Sequence, residues 1–400
     1  MFTYIRWLIL VASCLLGPIF LANTSAQTRF TSAGSAPGVP FELSGGLIIL
    51  KVRVNRSRPL RFIFDTGAGI SVIDPQSAKA LRLRTKGKLK LDATGGSVQS
   101  GLIQSVSLSV PGVEVFNQTL ATIDLDAFAP LFGFKIDGII GHDFINNFVV
   151  EIDYASSVMN LTDTQGYKYH GAGESIRIEI VDKTPYVRGR IVLNGREPIE
   201  GKFEIDTGGT GILNLNTPFV NKHKMLETLA KQTQGKMGGA GGSSATVKAH
   251  VPAIEVGSFT INNPLVVFAQ GTEGSESSAD YDGSLNNGFF SQFKVILDYS
   301  RSQIWLERSH KASTDLSGLE LVAEPPRFRT FVVNAVEDNS PAAAAGIQEE
   351  DTIIAVDGQP TARLTLRELR RLFTQPGERV LKIKRDSKTI QVRMRLQSDS

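Results

Sequence analysis

The chain has 400 residues, of which 41% are hydrophobic and 21% charged. That is room for two or three domains with real cores, and it excludes wholesale disorder. Its 43 basic residues nearly balance 40 acidic ones, for a net charge of +3, and no long basic run interrupts that balance, so nucleic acid is not an expected partner.

The first element is a leader. Arg6 precedes an apolar stretch from Trp7 to Ala22, followed by Asn23-Thr24-Ser25-Ala26-Gln27. A basic start, a greasy middle and small residues before a polar exit describe a secretory signal peptide over residues 1–26, cut near Ala26. The stretch falls short of the roughly 20 residues that span a bilayer, and no later segment is apolar enough, so no stable membrane span is expected after cleavage. Val11-Ala12-Ser13-Cys14 resembles a bacterial lipobox, which would anchor the protein through Cys14. The apolar residues after Cys14 argue against it. Either way the protein is expected to be exported, to the periplasm or beyond. Cys14 is the single cysteine, so the rest of the chain has no disulfide, thiol nucleophile or thiolate metal site. His142, His170, His223, His250 and His310 are scattered, without metal-ligand spacing, and neither metal nor cofactor is expected.

Residues 27–38 read as a flexible lead-in. Leu47–Val54 and Leu60–Phe64, separated by Asn55-Arg56-Ser57, read as strand, turn and strand. Short apolar runs broken by Gly, Asn and Pro continue to about residue 310. Pro75–Leu83 and Thr217–Lys231 are the best helix candidates. The decisive feature is a repeat. Phe62-Ile63-Phe64-Asp65-Thr66-Gly67 returns as Phe203-Glu204-Ile205-Asp206-Thr207-Gly208. Ile136–Ile145 returns as Tyr281–Phe290, and Ile152-Asp153-Tyr154 as Leu297-Asp298-Tyr299. Residues 40–165 and 172–310 are therefore two copies of one unit, which implies a pseudo-twofold with a site between them. Residues 315–397 have a different texture. Phe331–Val336 and Ile353–Val356 read as strands, and Ser340-Pro341 opens a short helix. Thr365–Phe373 is an amphipathic helix with Leu366, Leu369 and Leu372 inward. Val380–Lys384 and Ile390–Met394 close a small sheet.

An apolar strand that ends in Asp-Thr-Gly holds its carboxylate on a rigid element, and Gly gives the sharp turn that leaves it unobstructed. If the pseudo-twofold joins Asp65 to Asp206, two like charges meet and the pair holds one proton between them. One carboxylate can then take a proton from water while the other carboxyl donates to a peptide carbonyl. Thr66 and Thr207 can lock the two loops together. The other reading of a repeated Asp-Thr-Gly is a duplicated β unit with ordinary turn aspartates.

These motifs, with Ala68 and Ile139-Ile140-Gly141, resemble the retropepsin family of aspartic proteases. The region 40–310 resembles the bacterial members in which two lobes are fused. The resemblance implies a mainly β fold of two lobes, with Asp65 and Asp206 catalytic and Thr66, Gly67, Thr207 and Gly208 supporting them. It also implies β-hairpin flaps over the cleft. Thr94–Ser97 (Gly95, Gly96) and Gly238–Ser244 (Gly241, Gly242) are the flap candidates, or plain hairpin turns. The second copy departs from the family. Ser284 and Asn286 stand where Ile139 and Gly141 stand in the first. Gly209 follows the second motif where the family often has a hydroxyl, which Thr210 would have to supply.

Residues 315–397 resemble a PDZ domain, on Ser340-Pro341-Ala342, Ala345-Gly346-Ile347 and Asp351–Gly358, with Glu350 where the family usually has Gly. The resemblance implies binding of peptide C-termini by strand addition, with Gly318, Leu319, Glu320 and Leu321 as the carboxylate loop. A docked module without ligand is the other reading. Asp137 and Asp282 also repeat, as a helix cap or salt bridge. Gly238–Gly242 lacks the Lys-Ser/Thr of a phosphate loop, no GxSxG elbow is present, and Thr272–Ser278 reads as a solvated loop. The expectation is an exported aspartic endopeptidase acting on proteins or peptides, with a PDZ domain that recruits them. The alternative is an inactive scaffold whose PDZ domain carries the function.

Overall fold

The computed structural model describes residues 27–309 and 315–397. The signal-peptide and lipobox assignments lie outside those residues. Among the described residues, no helix is long and apolar enough to cross a membrane.

The architecture is mainly β: two lobes and a small C-terminal α+β domain. Its origin is the alternation along the strands. In Ile199–Asp206, Phe203 and Ile205 are buried while Lys202, Glu204 and Asp206 are only partly so, as period-two geometry requires. Leu60–Phe64 is buried more completely, and Phe62 and Phe64 each contribute about 2–3 kcal/mol by leaving water.

Each motif strand runs parallel to the strand of the second landmark. Ile63 pairs with Ile139 and Phe64 with Ile140; in the other lobe Ile205 pairs with Leu285 and Asp206 with Asn286. The lobes are stitched beneath by Phe148–Asp153 and Phe293–Asp298, which pair antiparallel, Ile152 opposite Val295. One main core runs through both lobes. The two copies of the repeat thus build the same strand pairing in each lobe.

Several local expectations change. The lead-in is not free: Thr28–Phe30 pairs with Val113–Val115, and Ser35–Ser44 is a full strand paired to both Leu47–Val54 and Val158–Asp163. The helix expected over Thr217–Lys231 is α-helical only over Thr217–Lys222, with a 3₁₀ turn at Met225–Thr228. Pro75–Ala80 is likewise shorter than expected, and Asp74 caps it through Gln76 N and Ser77 N. Asp137 and Asp282, expected as a helix cap or salt bridge, instead brace the motif strands: their carboxylates accept from Arg61 N at 2.9 Å and Lys202 N at 2.8 Å.

The C-terminal domain has its own core around Leu321, Phe331, Leu369, Phe373 and Ile383. Ser340 caps the helix at Pro341–Ala344, and Thr365 with Glu368 forms a capping box on Leu366–Leu372. Leu366 and Leu369 are buried as expected, and Leu372 packs partly exposed.

Candidate active site

The two Asp-Thr-Gly loops meet back to back. Thr66 N donates to Thr207 Oγ1 at 3.1 Å, and Thr207 N donates to Thr66 Oγ1 at 3.0 Å. Each hydroxyl then donates across the axis, Thr66 to Ile205 O at 2.5 Å and Thr207 to Phe64 O at 3.0 Å. Both threonines are buried, at 0% and 1% exposure, so these four bonds carry full weight in locking the lobes.

The carboxylates lie just above. Asp65 Oδ1 accepts from Gly67 N at 2.8 Å and Ala68 N at 3.1 Å. Asp206 Oδ1 accepts from Gly208 N at 2.8 Å. Each acid also crosses onto the other loop. A Cβ on Gly208 would collide with the Asp65 carboxylate, and one on Gly67 would lie 3.2 Å from Asp206 Oδ1. Space thus favours glycine at both places: a side chain at Gly208 would displace the Asp65 carboxylate, and one at Gly67 would meet Glu204 Oε1 at 2.8 Å and press on Asp206.

The two carboxyls act on each other directly, so that each one's protonation bears on its neighbour's. Burial, then the charge of Asp206, pushes the Asp65 carboxyl well above the usual range, against the pull of the Gly67 and Ala68 amides. Burial raises Asp206 as well, while the Gly208 amide and Asp65 hold it back. The pair therefore retains a proton at pH values where isolated carboxyls have lost theirs. Chemically it offers a base and an acid side by side, with no further group needed for adding water to a carbonyl.

The second-lobe departures compensate one another. The space a side chain at Gly209 would fill is taken by Asn286, whose Oδ1 is buried without a partner beside Asp206. Asn286 Nδ2 donates to Thr210 O at 3.1 Å. Thr210 is exposed, with no side-chain bond to Asp206 among the described contacts, so the hydroxyl sought there is not supplied. The backbone is nonetheless conserved between lobes: His142 N donates to Ala68 O at 2.8 Å, and Asn287 N to Gly209 O at 3.1 Å.

Both flap candidates are hairpin tips, Lys86–Ala93 with Gly96–Val110 and Thr233–Gly239 with Gly242–His250. The tips meet, with Gly241 N donating to Thr94 O at 3.0 Å. Gly95, at φ +84°, would drive a Cβ into the Gly242 backbone. The segment read as a solvated loop is instead a buttress. Glu276 is 3% exposed and its carboxylate accepts from Gly95 N at 3.1 Å and 3.2 Å. A buried Glu inside a Ser-rich run gives no signal in sequence.

Glu204 was also missed. It lies two residues before Asp206, and its Oε1 would sit 2.8 Å from a Cβ on Gly67. Burial and the charges of Asp206 and Asp65 push it well above the usual range. The signal was present, since Ile63 holds the matching place in the first copy.

In the C-terminal domain, Gly318 turns at φ +71° under Ser340. Leu319, Glu320 and Leu321 lie on the edge strand Leu319–Ala323. Segment Ala129–Phe132 of the first lobe packs against that strand. A Cβ on the adjoining Gly133 would lie 2.9 Å from Leu366 Cβ and 3.6 Å from Ala323 Cβ, so Gly133 sits where the helix and the edge strand face each other.

Among the described residues, the acidic group that comes nearest to metal-ligand spacing is Asp74, Asp124 and Asp126. Lys135 already bridges Asp74 at 2.8 Å and Asp126 at 3.6 Å, so part of the group's charge is offset.

Residues 50–144 and 187–286 each match the aspartyl protease family model, and residues 332–385 match a PDZ domain model. No curated protein matches the chain. Each matched segment contains one Asp-Thr-Gly loop and ends within its second landmark, at Phe144 and at Asn286.

Proposed function

We propose that this chain, a two-lobed retropepsin-like aspartyl protease with a C-terminal PDZ domain, is an exported endopeptidase that uses Asp65 and Asp206 as its catalytic pair. The observation that carries this reading is the crossing of the two acids, each lying against the other loop's glycine. The ionised member accepts a proton from a bound water. That water attacks the peptide carbonyl, and the protonated member donates to the carbonyl oxygen. The roles reverse as the amine leaves, so each turnover restores the starting proton. Gly95, Gly96, Gly241 and Gly242 form the tips of the flaps that close over substrate. The edge strand at Gly318–Leu321, on which Ala129–Phe132 of the first lobe packs, recruits substrate or partner peptides by their C-termini once that segment withdraws. The apolar leader supports export to the periplasm or the medium.

The same fold as an inactive scaffold is the competing reading, on the ground of Asn286 beside Asp206. Cleavage mapping of an unfolded proteome separates the two. Wild type is expected to generate new N-termini that Asp65→Asn and Asp206→Asn do not. A wild type that produces none leaves only the scaffold.

A further inference from the structure

The repeat places Ile63 and Glu204 at equivalent positions on either side of the dyad, two residues before each aspartate. Their surroundings differ in kind. Ile63 belongs to an apolar cluster with Ile49, Val72, Ile123 and Ile139. That cluster reaches Val98 of the first flap and Ala240 at the tip of the second, so it lies under the flaps. Glu204 is flanked by tyrosines. Tyr186 is its cross-strand partner; Tyr281, whose hydroxyl donates to Ser275 O at 3.1 Å, lies beside it; and the two rings lie 5.5 Å apart.

Three carboxyls thus crowd one spot, and among the described residues no ion pair reaches Asp65, Asp206 or Glu204. Lys202, on the same strand face, lies over the Tyr186 ring at 4.8 Å instead. A carboxyl placed where an aliphatic side chain would serve costs desolvation. Its ionised form has no ion-pair partner among the described residues, so a cation brought by a ligand would supply one. A half-buried carboxyl between aromatic rings suits an ammonium or guanidinium, by ion pairing and by cation–π attraction.

We propose that Glu204 sets substrate specificity: it pairs with a Lys or Arg side chain on one side of the scissile bond, while the apolar wall around Ile63 receives a hydrophobic side chain on the other. The inference rests on the endopeptidase reading above, and deepens it by naming the substrate class. Burial and the neighbouring acids, which favour the protonated resting carboxyl, are relieved when the cation binds, and Glu204 then ionises against it.

The test uses the mature chain and paired peptides with an apolar residue on one side of the scissile bond and Lys or norleucine on the other, in both orders. Wild type is expected to favour Lys by about 30-fold in kcat/KM, the range of a desolvated ion pair. Glu204→Gln and Glu204→Leu are expected to bring that ratio close to one. A ratio near one in wild type, or one that both variants leave unchanged, overturns the proposal. An unchanged ratio with a displaced pH profile does so too, and makes Glu204 a proton-sharing neighbour only. Calorimetric binding of the same peptides to Asp65→Asn separates the two readings. Tighter binding of the Lys peptide, lost in Asp65→Asn/Glu204→Gln, upholds the pocket even if wild type cleaves nothing, in which case the peptidase reading alone falls. Equal binding of both peptides overturns the pocket whatever the cleavage result.

Discussion

At the scale of single residues, the site holds acids against their preference. Asp65 and Asp206 have folded-state pKa values raised above 3.8 by burial. The folded chain therefore binds more protons than the unfolded one once pH exceeds that value. Stability contributed by the protonated pair is present at low pH and is lost as pH rises through the raised pKa values. Asp65→Asn is accordingly expected to raise the melting temperature at neutral pH, with a gain that shrinks as pH falls toward 4; a gain independent of pH would contradict the burial argument. Thr66 works in the opposite sense. Thr66→Val removes the acceptor of Thr207 N and the donor to Ile205 O, both buried. Denaturant unfolding should show a loss of about 1–3 kcal/mol for each orphaned group, largely restored in Thr66→Ser.

At the scale of elements, the glycine-rich hairpins carry the least redundant geometry. Gly95 has positive φ, meets Gly242 backbone to backbone, and gives its N–H to Glu276. Gly95→Ala must separate the tips. It is expected to lower kcat/KM by up to about 100-fold, since small misplacements near the reacting atoms are costly, while far-UV circular dichroism stays unchanged. Undiminished turnover would remove the hairpins from the catalytic cycle. The strands that deliver the aspartates were legible in the sequence because an apolar run ending in Asp-Thr-Gly occurs twice, followed by landmarks in the same order. So were the capped helices at Ser340 and Thr365, where cap, Pro and Glu stand at fixed spacing. Contacts between segments distant in sequence were not legible. Nothing local to Thr28–Phe30 reveals its partner at Val113–Val115. Nothing in Thr272–Ser278 reveals that Glu276 is buried against a hairpin tip 181 residues away. The exchange of Gly141 for Asn286 read as damage because its compensation by Gly209 exists only in three dimensions.

At the scale of the molecule, the repeat explains why one chain carries two different walls around one pair of acids. Duplication fixes the backbone on both sides, and the threonine bonds and the shared pairing of Phe148–Asp153 with Phe293–Asp298 hold the halves together. Side chains off that frame are then free to diverge, as Ile63 and Glu204 have. The C-terminal domain bears on both halves. Arg367 meets Glu42 of the first lobe at 2.8 Å, and Thr233 Oγ1 of the second lobe donates to Asp338 at 2.6 Å. The domain is thereby placed beside the second glycine-rich hairpin, which begins at Thr233. The account stands on a single proton shared by Asp65 and Asp206. Its most direct test is the pH dependence of kcat/KM on a neutral peptide. A bell is predicted, with an acid limb where the ionised member takes up a proton and a basic limb where the shared proton leaves. Activity that climbs steadily into alkaline solution, or a profile that survives in Asp206→Asn, would contradict it.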